Sequence, residues 1–236
     1  MPKLQTMPPL VISRSELAKF GVVWTANGGS LSRTPPQSSG ELGKLFDTAV
    51  GGALAVMLGG VSIEVPVSTA LTPPKADCVE VGPVRIVGGV RPQNFDVGYR
   101  PDGVRFAYDS KTLNDAKSVG KNWQNMINDL ATEATTVHSR FPHAVVAFMV
   151  IVPKPCLGEP QRSALIETLE RLARRQKVED SDYMAEVISL VVWDPANGSI
   201  SDTVPAQESP LRIEKFPLQV ETAYVSRYKG LPPHAA

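Results

Sequence analysis

Between residues 91 and 113 the chain reads RPQNFDVGYRPDGVRFAYDSKTL. Three aspartates (Asp96, Asp102 and Asp109) fall within this stretch, and Lys111 follows the last of them by two positions. Two carboxylates brought side by side supply hard oxygen ligands for Mg²⁺ and leave coordination positions for water and a phosphate oxygen. A metal held there lowers the pKa of its bound water and offsets charge building on the phosphate. An amine beside the pair orients or deprotonates the attacking water and stabilises the developing charge. Together these groups have the chemistry of phosphodiester hydrolysis.

The elements that must position them can be read from the same stretch. Residues 94–100 and 104–111 alternate as strands, and Pro101-Asp102-Gly103 between them is a turn: proline presets φ and glycine accepts φ > 0. Asp102 is therefore expected at a solvated hairpin tip. Side chains two apart on a strand share a face, so Asp109 and Lys111 project together while Phe106 and Tyr108 turn to a core. The partner strand must then bring Asp96 to Asp109. A three-residue loop closed by Arg100 and Val104 would set Asp96 opposite Tyr108, on the wrong face. The expectation is a loop one residue longer, or a bulge.

Around this hairpin the periodicity changes from element to element. Leu42, Leu45, Phe46, Ala53, Leu54 and Met57 recur at helical steps from Glu41 onward. A short strand is expected at 61–67 and a longer one at 78–87, where Pro83 suggests an edge or a bulge. A helix with Trp123, Met126, Ile127, Leu130, Ala134 and Val137 on one face follows the hairpin. Residues 143–153 and 185–193 read as strands buried on both sides, separated by a helix at 161–177. Residues 218–228 read as a further strand, residues 30–40 as loop, and 13–24 as a short helix capped by Ser13 or Ser15. The fold class is α/β, a mixed central sheet flanked by helices.

With Asp96 as the first acid and Asp109-Ser110-Lys111 as D-x-K, the arrangement resembles the PD-(D/E)xK nuclease superfamily, whose core order is αβββαβ. It is most similar to the type II restriction endonucleases. Phe95 stands where that motif often has proline. The literal Pro101-Asp102 lies too near Asp109 to leave room for two strands and a turn. The resemblance covers about half the chain. It implies a restriction-endonuclease-like core, a Mg²⁺-dependent DNA endonuclease activity giving 5′-phosphate and 3′-hydroxyl ends, and Asp96 and Asp109 as metal ligands. Lys111 would position or activate the attacking water. Relatives often add an acid from the first core helix. Glu41 is the positional match, although a first-turn glutamate also suits the helix dipole, and Asp47 is an outside candidate. Gln124, on the next helix, is expected to face solvent. Double-stranded DNA is the implied partner, with a homodimer if both strands of a two-fold site are cut.

Two other functions fit the same residues. One is a structure-specific repair or junction-resolving nuclease. The other is a non-catalytic α/β binding or assembly protein whose acid and lysine form a cross-strand ion pair.

Composition narrows the field without deciding it. The 236 residues fit a single domain, divided as an N-terminal extension (1–40), a catalytic core (41–193) and a C-terminal loop and strand region (194–236). The loops at 1–40, 61–77 and 194–236 would then carry DNA recognition. Hydrophobic residues make up 42%, and 24 basic residues balance 24 acidic ones, which gives no support to bulk electrostatic nucleic-acid binding. Cys78 and Cys156 form no CxxC, and His138, His143 and His234 form no metal or triad motif. The glycine pairs build no nucleotide-binding loop. The basic run at 171–177 reads as a solvated helix end, with DNA phosphate contact as the other possibility. The proline-bearing N-terminus lacks a signal-peptide apolar run, and a cytoplasmic location is expected.

Overall fold

The computed structural model describes residues 3–31, 38–67 and 69–234. Most of the loop expected at 30–40 lies outside them. A six-stranded mixed sheet has its strands in chain order: β1 (Ser62–Glu64), β2 (Cys78–Val87), β3 (Pro92–Tyr99), β4 (Phe106–Thr112), β5 (Val145–Pro153) and β6 (Val187–Trp193). The β2–β3 and β3–β4 pairs are antiparallel, while β1–β2, β4–β5 and β5–β6 are parallel. Helices α3 (Val119–His138) and α4 (Gln161–Leu172) make the crossovers of the β4–β5 and β5–β6 pairs. Every residue of β5 and β6 is buried, which explains their unbroken apolar sequence.

Helices cover both faces. On one face, α1 (Arg14–Ala26), α2 (Ser39–Met57) and α5 (Phe216–Tyr228) pack against Val97, Tyr99, Phe106 and Tyr108. On the other, α3 and α4 enclose Phe95, Ala107, Val146 and Phe148. Ser13 caps α1, its hydroxyl accepting from the Glu16 N–H. Leu17, Phe20 and Trp24 then enter the core, so much of the expected N-terminal extension is structural.

Two sequence expectations fail here. Residues 218–228 form helix α5, not a strand. Phe216, Val220, Tyr224 and Tyr228 recur every four positions and bury one helical face, and Pro217 sits in the first turn, where its missing N–H is harmless. Helix α4 ends at Leu172 rather than at 177. Arg175 beyond it is 2% exposed and donates to the carbonyls of Pro142 and Val178 and to the Asp180 carbonyl. It is a tie inside the molecule rather than part of a solvated or DNA-facing end.

Candidate functional site

The hairpin register determines the site. Val97 pairs with Tyr108, Gly98 with Ala107 and Tyr99 with Phe106; continued one step, this register sets Arg100 opposite Arg105, with Pro101–Val104 as a four-residue tip between them. The loop is thus one residue longer than the regular three, and the next position places Asp96 opposite Asp109. Gly103 takes φ +126° at the tip, where a Cβ would be strained. Asp102 is exposed there and accepts from Arg105 Nε at 2.7 Å, a turn residue as expected.

The β3–β4 ladder stops just before the two aspartates. On the other side of β3 the register with β2 shifts between Val81 and Val84, so Gly82 and Pro83 together oppose Asp96. This is the bulge that Pro83 suggested, and it changes which way β3 faces. Phe95 joins the α3 side of the sheet and Val97 the α2 side. Asp96 is the residue at the crossover, in the gap opened by a bulge on one neighbour and the end of the ladder on the other.

Within that gap Asp96 Oδ2 accepts two bonds from Ser110, from the amide N–H at 2.9 Å and from the hydroxyl at 3.0 Å. The Asp96 and Asp109 carboxylates line the same cleft and lie close enough to perturb each other's charge. Lys111 Nζ pairs with Asp109 and, at 2.8 Å, with Glu133 Oε1 of α3. Asp109 and Lys111 therefore share a face, and Phe106 and Tyr108 pack on the opposite one.

The acid that α2 brings to this gap is Asp47. Glu41 is not brought in: it lies in the first turn, its N–H capped by Ser38 Oγ, and its carboxylate pairs with exposed Lys44 at 2.6 Å. Six residues along a helix rotate the side chain by roughly 120°, which carries Asp47 to the sheet-facing side. There Asp47 is 5% exposed, and its Oδ1 is buried with no hydrogen-bond partner. Gly43, one turn earlier on the same face, makes the close approach possible, since a Cβ there would stand 2.8 Å from Ser110 Oγ.

The electrostatics follow from this crowding. Burial, then the neighbouring Asp96 charge, raises the Asp47 carboxyl to about 8. Burial, then contact with Asp109, raises Asp96 to about 7, although the Ser110 bonds oppose the shift. Asp109 is also raised, by burial, against the pull of Asp96 and Lys111. Burial disfavours the Lys111 ammonium, but Asp109 and Glu133 outweigh it and the lysine is held in its charged form.

The carboxylates open on a cleft of about 660 Å³ between α2 and the β2 bulge, lined by Gly43, Lys44, Asp47, Gly82, Pro83, Asp96, Asp109 and Ser110. Lys111 lies on the far side of Asp109 and reaches the site through it. Among the described residues, no group of three or more His, Cys, Asp or Glu side chains stands in ready coordinating geometry. The donor set nevertheless suits a hard cation. Three carboxylates from three elements crowd the cleft: Asp96 and Asp109 raise Asp47, Asp109 raises Asp96, and one Asp47 oxygen is buried without a partner. Mg²⁺ typically takes only one or two protein carboxylates and keeps several waters.

Asp47 and Glu133 were the residues whose weight the sequence concealed. Each is an acid set in an apolar helical stripe: Asp47 between Phe46 and Val50, Glu133 among Leu130, Ala134 and Val137. A carboxylate on a buried face needs a partner, and that is the signal that could have singled them out. Gln124 is exposed, as expected, and His138 is buried against Glu186 at 3.2 Å. No helix among the described residues is long and apolar enough to cross a membrane. Comparison of the chain with protein-family models, with curated proteins and with solved structures gives no match.

Proposed function

We propose that this chain is a Mg²⁺-dependent DNA endonuclease built on a restriction-endonuclease-like core. The observation that carries the reading is the convergence of Asp96 and Asp109 where the β3–β4 ladder ends, with Lys111 paired to Asp109. The element order supports it as well: one helix, a run of strands ending in the hairpin, a crossover helix and a parallel buried strand.

In this reading Asp96 and Asp109 hold the metal, and Asp47 supplies the helix-borne carboxylate for which Glu41 was the first candidate. When bound, Mg²⁺ would supply a more acidic water and neutralise charge on the phosphate. Ser110 fixes Asp96 through its N–H and hydroxyl, so that the carboxylate's other oxygen is free to face the cleft. Lys111, held as an ammonium behind Asp109, acts on the attacking water or the phosphate oxygen through that carboxylate. Water adds to phosphorus as the bond to the 3′ oxygen breaks, leaving a 5′-phosphate and a 3′-hydroxyl. Double-stranded DNA is the proposed substrate. Two copies of the chain acting about a two-fold axis would cut both strands of a symmetric site.

The test is incubation with plasmid and genomic DNA in Mg²⁺ or EDTA, beside Lys111→Ala. Discrete fragments that require both Mg²⁺ and Lys111 are expected. A smear or nicking with the same dependence would point to a repair or junction-resolving nuclease. Cutting that persists in EDTA or in the variant would refute the proposal.

A further inference from the structure

Glu133 has no part in the metal-binding cluster, yet the chain keeps it buried at 4% side-chain exposure. Its Oε1 accepts from Lys111 Nζ at 2.8 Å and from Gln93 Nε2 at 2.9 Å, and its Oε2 is buried without a partner. An acid in that position costs stability unless a cation compensates it. Leu130, Ala134 and Val137 flank it on the buried side of α3, and the only cation paired with Glu133 among the described residues is Lys111. A lysine ammonium has three N–H donors on a flexible four-carbon stem. Asp109 and Glu133 engage two of them from different elements, which fixes the head group behind Asp109. Gln93, on β3, in turn fixes the carboxylate that does the holding.

We infer that Glu133 is a positioning residue: with Gln93 it anchors Lys111 against Asp109 and so holds the carboxylate that faces the reacting water or phosphate. The inference rests on the nuclease reading for its catalytic consequence, but the anchoring itself can be measured without any reaction. Preorganisation is the physical gain, because a reacting group displaced by about 1 Å can lose on the order of 10²-fold in rate.

The experiment compares wild type, Glu133→Gln and Gln93→Ala by two measurements. The first is acetylation of Lys111 by acetic anhydride, followed by mass spectrometry, with exposed Lys44 as the control for an intact fold. The second is the steady-state rate of DNA cleavage in Mg²⁺. In both variants Lys111 labelling should rise several-fold while Lys44 labelling stays constant. In Glu133→Gln kcat should fall about 10- to 100-fold with little change in KM. Unchanged Lys111 labelling overturns the inference whatever the activity, and so does raised labelling with unchanged kcat. Raised labelling in a protein whose wild type cuts no DNA supports the anchoring and removes the nuclease reading alone.

Discussion

At the scale of single residues, the aspartates of one short stretch divide between a turn and the candidate site. Asp102 is a turn residue, 61% exposed, whose carboxylate compensates the buried Arg105 guanidinium, so its loss costs stability rather than activity. Asp102→Asn should leave DNA cleavage unchanged while lowering the melting temperature, as a side-by-side assay and thermal scan would show. Asp109→Asn is its opposite. It keeps the shape but removes a carboxylate of the proposed metal site and one partner of Lys111, so cleavage should fall by on the order of 10²-fold or more. Comparable loss in the two variants would mean that the carboxylates were assigned to the wrong roles. Asp102, Asp109 and Lys111 were legible in sequence because turn chemistry and strand alternation are local rules. Asp47 was less so. Choosing between Glu41 and Asp47 requires knowing which face of α2 meets the sheet, and the capping of Glu41 by Ser38 and its pairing with Lys44 belong to the solvent side.

At the scale of elements, the site is the place where three regular patterns are interrupted together: the ladder ends, β2 bulges, and α2 comes close through Gly43. Gly43→Ala tests the last of these. Its Cβ would meet Ser110 Oγ at 2.8 Å, so the hydroxyl must turn away from Asp96 or the helix must retreat. The variant should fold, lose about 1–3 kcal/mol as an overpacked contact, and cleave more slowly. Adding Ser110→Ala should recover part of the stability but not the activity, which chemical denaturation beside the cleavage assay would reveal. The hairpin register could be bracketed from sequence, since only a longer loop or a bulge could pair the acids. Helix α5 could not be read in the same way. Its Val, Thr and Tyr content mimics a strand, and the four-residue spacing of its buried side chains matters only once a sheet face is available to receive them.

At the scale of the whole molecule, the buried carboxylates tie stability to pH. Unfolded carboxyls titrate near 4, whereas Asp47 and Asp96 are raised to about 8 and about 7 in the fold. Between those limits the native state holds more protons than the unfolded chain, so stability falls as pH rises. Without divalent metal the melting temperature should therefore drop from pH 5 to pH 8, and Mg²⁺ should restore part of the loss. Asp47→Asn should flatten this dependence and melt higher than wild type at pH 8, by about 2–4 °C for each kcal/mol of relieved repulsion. A variant that instead melts lower at pH 8 would show that Asp47 is compensated in a way this geometry lacks. The arrangement of six strands with helices on both faces was largely legible, because unbroken apolar runs and amphipathic helices follow from burial on two sides or one.

The measurement that bears most directly on the central claim is calorimetric titration of the pure protein with Mn²⁺, standing in for Mg²⁺, at pH 8. It would be run on wild type and on the double variant Asp96→Asn, Asp109→Asn. Saturable binding by wild type that disappears in the double variant is the predicted result. No binding by wild type, or binding that survives loss of both carboxylates, would contradict a metal centre at the end of the β3–β4 ladder.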